Sequence, residues 1–253
     1  MMHPVFRPGM VGAAGDEPAT PSVFLEKVLF CWPGQQHATL DIPSFAVFPG
    51  EQVFIAGPSG SGKSTLLGLV AGILSPTSGA VSVNGVCLNG LGGAERDVFR
   101  GDHIGFIFQQ FNLIPYLSIL ENVLIPCRFS SLRKERACAQ SESPAAEARA
   151  LLEKLDLSPA LWNRPVNKLS VGQQQRVAAA RALIGSPSVL IADEPTSSLD
   201  MDRRKIFLRL LLEECRAVGA SLLFVSHDQS LAEDFSTVIQ LPELNRAAEE
   251  VAA

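Results

Sequence analysis

The residues best suited to do chemistry stand at Gly57-Pro58-Ser59-Gly60-Ser61-Gly62-Lys63-Ser64, which fits the spacing G-x-x-x-x-G-K-[ST]. Such a loop holds phosphate, because its glycines let the backbone turn tightly enough for successive N–H groups to converge on anionic oxygens. The apolar run Gln52-Val53-Phe54-Ile55-Ala56 precedes it and predicts a buried strand. Leu66, Leu67, Leu69, Val70, Ile73 and Leu74 follow at helical spacing, with Ser75-Pro76 as the stop. A strand-loop-helix order aims the positive end of a helix dipole at the same phosphates. Lys63 is expected to reach the β- and γ-phosphates, the Ser64 hydroxyl to bind Mg²⁺, and Thr65 to contact the α-phosphate. Gly57, Ser59, Gly60, Ser61 and Gly62 form the rest of the cradle.

A second group lies far along the chain. Val189-Leu190-Ile191-Ala192 is apolar throughout and then delivers two acids, Asp193 and Glu194. A buried strand rarely ends in adjacent unpaired charges, since each is costly to desolvate. A magnesium ion beside the phosphate loop would partner them. Asp193 would support the metal shell, mainly through water, and Glu194 would position the attacking water as general base. The plainer alternative is a helix N-terminus whose dipole the acids complement. Between the two groups, Leu169-Ser170-Val171-Gly172-Gln173 opens a helix. Ser170 and Gln173 have the spacing of a capping box. Ser170, Gly172 and the helix N-terminus also make a second anion-binding surface, one that a single chain cannot easily fold onto the same phosphate.

These residues need a scaffold. Short strands are expected from Val23 to Ala56, and Thr39 to Ile42 is one of them. Strands alternating with helices return after Ser170, with helices over Val171 to Ile184 and Met201 to Val218 and a buried strand over Leu222 to Val225. That alternation predicts an α/β fold with a mainly parallel sheet covered on both faces. Residues 1–22 are expected to be a flexible tail, about 111–168 an inserted, mostly helical lobe, and 241–253 a short C-terminal tail. Within the lobe, Arg133-Lys134-Glu135-Arg136 is expected to be a solvated helix face.

Composition narrows the class. The chain has 253 residues, 47% of them apolar, enough for one packed domain with an insertion. A net charge of −5 gives no reason to expect a nucleic-acid partner. The five cysteines form no CxxC pair, which fits reduced thiols rather than a zinc site or a disulfide framework. No run approaches the length needed to cross a bilayer, so work at a membrane would require a partner.

With these motifs in order, the sequence resembles the ATP-binding-cassette ATPases from about Val23 to Ile239. The resemblance implies a P-loop NTPase fold using ATP and Mg²⁺. Gln109, after Ile104 to Phe108, is similar to the family's glutamine loop, which touches Mg²⁺. Leu169 to Gln173 resembles its signature segment, Ser197 to Asp200 its aspartate loop, and His227 its switch histidine, which contacts the γ-phosphate. Trp32 is similar to the aromatic that stacks on adenine, with Phe30 as its rival. The family has a glycine where Val171 stands, and a β-branched residue disfavours a positive φ there. Family membership implies a head-to-tail pair of ATPase domains with ATP at both seams, and integral membrane permease subunits that hold this chain on the cytoplasmic face of the inner membrane. Gln110 to Pro115 and Leu117 to Val123 resemble the lipoprotein-release and macrolide-export branch. The alternatives are a soluble assembly or repair factor and, more remotely, a small-molecule kinase.

Overall fold

The computed structural model describes residues 20–35, 37–197 and 199–247. The chain opens with β1 (Val23–Phe30) and β2 (Leu40–Val47), then β3 (Gln52–Ala56), α1 (Lys63–Val70), β4 (Ser78–Val83) and β5 (Val86–Cys87). Next come α2 (Gly93–His103), β6 (Ile104–Ile107), α3 (Ile119–Phe129), α4 (Ser131–Gln140), α5 (Pro144–Lys154) and α6 (Val171–Leu183). The last elements are β7 (Val189–Asp193), α7 (Met201–Val218), β8 (Ser221–Val225), β9 (Thr237–Gln240) and α8 (Leu241–Leu244).

Two sheets result. One is antiparallel, in the order β2-β1-β4-β5. Its edge strand β2 accommodates Pro43, which cannot donate to a ladder on both sides. The other sheet is wholly parallel, in the order β6-β7-β8-β3-β9. Its central strands alternate between two cores. Val53, Ile55, Val189, Ile191, Leu223 and Val225 pack with α1 and the antiparallel sheet. Phe54, Ala56, Leu190, Ala192, Leu222 and Phe224 pack with α6, α7 and the helices α3 and α5. Burial on both faces is why these strands read as unbroken apolar runs.

Several local expectations change. Helix α1 stops at Val70 rather than Leu74. Gly72 takes φ +66°, and the N–H groups of Ile73 and Leu74 both turn back to Gly68 O. The charged run of α4 is not a solvated face throughout: Arg133 is 2% exposed. Its guanidinium donates to Ala182 O at 2.6 Å and Ile184 O at 2.8 Å, the last carbonyls of α6. The C-terminal boundary also moves. Leu241, Leu244 and Ala247 are buried, so the packed domain runs at least to 247 and not to 240. Helix α2 and strand β9 went unread. At the other end Ser22 is buried and its hydroxyl bonds Ser221 Oγ, while residues 1–19 of the expected tail lie outside the described residues.

Candidate nucleotide site

Strand order builds the site. β7, β8 and β3 are neighbours in one parallel sheet, so their carboxyl ends open on one edge, where α/β folds hold ligands. From β3 comes the phosphate loop, from β7 come Asp193 and Glu194, and from β8 comes His227.

Gly62 caps α1 at φ +96° without a side chain. A Cβ there would stand 2.7 Å from Leu40 Cδ2, so both the backbone angle and the close approach require glycine. No acid occupies the first turn of α1, which leaves its dipole free for an anion. Lys63 is buried, and its Nζ donates to Gly57 O at 2.7 Å and Pro58 O at 2.9 Å. Ser61 Oγ is buried with no hydrogen-bond partner among the described residues. An orphaned hydroxyl beside a lysine and a free helix N-terminus fits a bound phosphate.

The Ser64 hydroxyl lies close enough to the Asp193 carboxyl to favour its charged form. Burial pushes this carboxyl above the ordinary value; Ser64 and Lys63 pull the other way, while Glu194 adds to the rise. Among the described residues no three His, Cys, Asp or Glu side chains meet as an all-protein metal cage. Ser64 and Asp193 instead offer one hydroxyl and one carboxylate, the sparse oxygen set that suits Mg²⁺ shared with substrate phosphates.

Glu194 holds a left-handed backbone, φ +48°. For a residue of this type that stores about 1–3 kcal/mol, held in place by its N–H, which donates to Val225 O at 3.0 Å. Oε2 of its carboxylate is 2.6 Å from His227 Nδ1. An ionised carboxylate can only accept, so the proton of this pair lies on Nδ1 and Nε2 is left for another partner.

Ser170 and Gln173 form a reciprocal capping box: Ser170 Oγ accepts from Gln173 N at 3.3 Å and Gln173 Oε1 from Ser170 N at 3.0 Å. Val171 is the first helical residue of α6, after an extended cap. No positive φ is needed there, so the expected strain does not arise, and its side chain is 45% exposed. A Cβ on Gly172 would meet Leu199 at 3.6 Å, so this turn sits beside the aspartate loop. Asp200 caps α7 by accepting from Arg203 N at 3.0 Å. Gln109 is exposed just after β6. Phe30 is 5% exposed and spent in the core, whereas Trp32 is 40% exposed and stands edge-on to it at 5.1 Å. Of the two, only Trp32 keeps an open face.

A family model for ABC transporters matches residues 40–197. This chain belongs to the ABC transporter ATPase family. It is the ATP-binding, ATP-hydrolysing subunit of a transporter. An uncharacterized ABC transporter ATP-binding protein of Mycobacterium tuberculosis is 41% identical over 213 residues, covering 82% of this chain and 83% of the relative. A lipoprotein-releasing system ATP-binding protein, LolD, of Psychrobacter arcticus is 42% identical over 183 residues, 72% and 78% of the two chains. A dimeric ATP-binding cassette of Methanocaldococcus jannaschii, in a post-hydrolysis state bound to ADP and Pi, superposes with a TM-score of 0.73 at 36% identity. That match covers 86% of this chain and 93% of the neighbour.

Sequence reasoning passed over three residues of this candidate site. Leu40 fills the space beside Gly62, Asp228 follows His227, and Arg204 reaches that aspartate from α7. Asp228 alone had a signal, its place next to His227; no motif marks an arginine inside a helix.

Proposed function

We propose that this ATPase clasps Mg·ATP between two head-to-tail copies of itself and thereby drives an integral membrane permease of the lipoprotein-release or macrolide-export type. The observation that carries the reading is the exposed N-terminal turn of α6. Ser170 is solvent-facing, with its capping needs met inside its own turn. A helix N-terminus open in this way suits the γ-phosphate of a nucleotide held by the other copy.

Within each site, the backbone from Gly57 to Gly62, with Ser59, Gly60 and Ser61, surrounds the phosphates. Lys63 exchanges its loop carbonyls for β- and γ-oxygens, Thr65 meets the α-phosphate, and Trp32 stacks on adenine. Ser64 and Asp193 would hold Mg²⁺, with Gln109 closing in from the lobe; the ion neutralises phosphate charge when bound. Glu194 takes the proton of the attacking water, and His227 presents Nε2 to the γ-phosphate. Asp200 stands at the seam, beside the signature turn. Shifting such a pair from mostly open to mostly closed requires about 5.5 kcal/mol of differential binding, which two shared nucleotides can supply.

No helix among the described residues is long and apolar enough to cross a membrane. Attachment to the cytoplasmic face is therefore assigned to the permease. Tyr116 and Phe129, 80% and 86% exposed at the two ends of α3's segment, supply aromatic contacts of the kind that anchor interfaces. Affinity purification from solubilised membranes tests the reading: a polytopic permease should copurify with the chain, and the Glu194→Gln variant should pair in ATP. Recovery of only soluble partners, with a monomer at saturating ATP, would defeat it.

A further inference from the structure

Arg204 joins two loops that the motifs treat separately. It stands at the end of the first turn of α7, near the positive end of the helix dipole, a place helix stability alone would not choose for a cation. Its loop contacts explain the position. Nε donates to Leu199 O at 2.7 Å, and Nη1 pairs with Asp228 Oδ2 at 2.7 Å. Both side chains of that ion pair are mostly sheltered, 26% and 20% exposed.

Each end of the link is firmly tied. Leu199 is buried and adjoins Gly172 of the signature turn. Asp228 Oδ1 accepts from Ser230 N at 3.1 Å and Ser230 Oγ at 2.7 Å, and its own N–H donates to Ser226 Oγ at 3.1 Å. Thus Asp228 fixes the turn that carries His227. A planar guanidinium can serve a carbonyl and a carboxylate in two directions at once, whereas a lysine ammonium on a flexible stem holds neither direction firmly.

We propose that Arg204 is a positioning residue that couples the aspartate loop to the switch histidine. Movement of Leu199 and Asp200 as two copies close is passed to Asp228, so that His227 and Glu194 reach working geometry only when the seam is formed. The proposal rests on the reading above, in which Asp200 lies at that seam and His227 acts on the γ-phosphate. The phosphate loop is not part of the link, so nucleotide capture should survive its loss.

The test uses the full chain with steady-state ATP hydrolysis. Arg204→Ala should lower kcat about tenfold to a hundredfold, the scale of a small misplacement of reacting groups, and change the KM for ATP less than about threefold. Arg204→Lys should restore only part of kcat. Arg204→Ala combined with Asp228→Asn should be no slower than the worse single variant, because both remove one link. If Arg204→Ala does not fold, Arg204→Gln, which keeps volume and one donor, is read in its place. A folded variant with kcat within about twofold of the parent, or losses that multiply in the double variant, overturns the coupling. His227→Ala separates the two levels. If it is inactive while Arg204→Ala is fully active, the coupling alone falls; if it is fully active, the underlying reading falls and the coupling with it.

Discussion

The Nδ1 of His227 lies 2.6 Å from Oε2 of Glu194, across the ends of two adjacent parallel strands. The residues proposed as general base and switch are thus one hydrogen-bonded unit. Glu194→Gln should preserve it, since an amide oxygen can still accept from Nδ1 while the ability to take a proton is lost. Nucleotide binding should persist and turnover fall about 10²-fold or more. Phosphate release measured beside nucleotide titration checks this; near-normal turnover would remove Glu194 from its role.

Asp193 sets stability against function. Burial raises its carboxyl above the ordinary value of 3.8, outweighing the opposing pull of Ser64 and Lys63. A raised folded-state value means the protonated form is the one the fold favours. Its contribution is complete below the ordinary value and is lost as pH climbs through the raised one. Ionised Asp193 therefore weakens the metal-free protein at neutral pH. Asp193→Asn should raise the metal-free Tm at pH 7, leave it unchanged where Asp193 is protonated, and abolish most Mg²⁺-dependent hydrolysis. Melting curves across pH in chelator decide it; a lower Tm for the variant at pH 7 contradicts the account.

Arg133 ties α4 to the end of α6, and burial pushes its guanidinium down to about 10. Gly185, at φ +66°, turns the chain beneath it and donates to Glu147 Oε1 at 3.1 Å. Arg133→Met would keep apolar volume but strand the carbonyls of Ala182 and Ile184, at a cost of about 1–3 kcal/mol each. The melting point should fall by about 10 °C, while Lys134→Met, at the exposed neighbour, should shift stability by under about 0.5 kcal/mol. Equal effects of the two would show that Arg133 is held no more firmly than a surface charge.

That contrast marks what the sequence can convey. The phosphate loop and the acids of β7 were legible because each combines a residue pattern with a strand context that fixes its direction. Arg133 was not, because charge in a run of charges predicts solvent, and only the packed carbonyls of α6 make it a buried anchor. Helix α2 has no fully buried residue and packs only Phe99 against the core, too little apolar spacing to read. Ile73 and Leu74 continued the spacing of α1, yet the left-handed turn at Gly72 ends it first. For Val171 the expected strain came from φ alone, whereas an extended cap followed by a helical residue accepts valine.

Val171 bears on closure in another way. Its isopropyl group is exposed on the turn proposed to face the partner's nucleotide, and glycine there would leave more room for a facing phosphate loop. In a Glu194→Gln background, Val171→Gly should allow ATP-driven pairing at a lower nucleotide concentration, read by light scattering. Weaker pairing would mean that the helix-start propensity lost with glycine outweighs the relief of bulk.

Asn245 supports the phosphate loop from behind. It is 3% exposed; its Oδ1 accepts from Asp41 N at 2.8 Å, and its Nδ2 donates to Thr39 O at 2.9 Å. Those bonds hold Leu40 against Gly62, while Leu241 and Pro242 adjoin Gly57 at the other end of the loop. Asn245→Ala would leave a half-buried N–H and a half-buried carbonyl without these partners, at about 1 kcal/mol each. Much of that loss should appear as looser phosphate binding: the KM for ATP rises several-fold while kcat at saturation holds. This split is the reverse of the one expected for Arg204→Ala. A lowered Tm with unchanged KM would make Asn245 a fastener of the C-terminal segment with no bearing on the nucleotide.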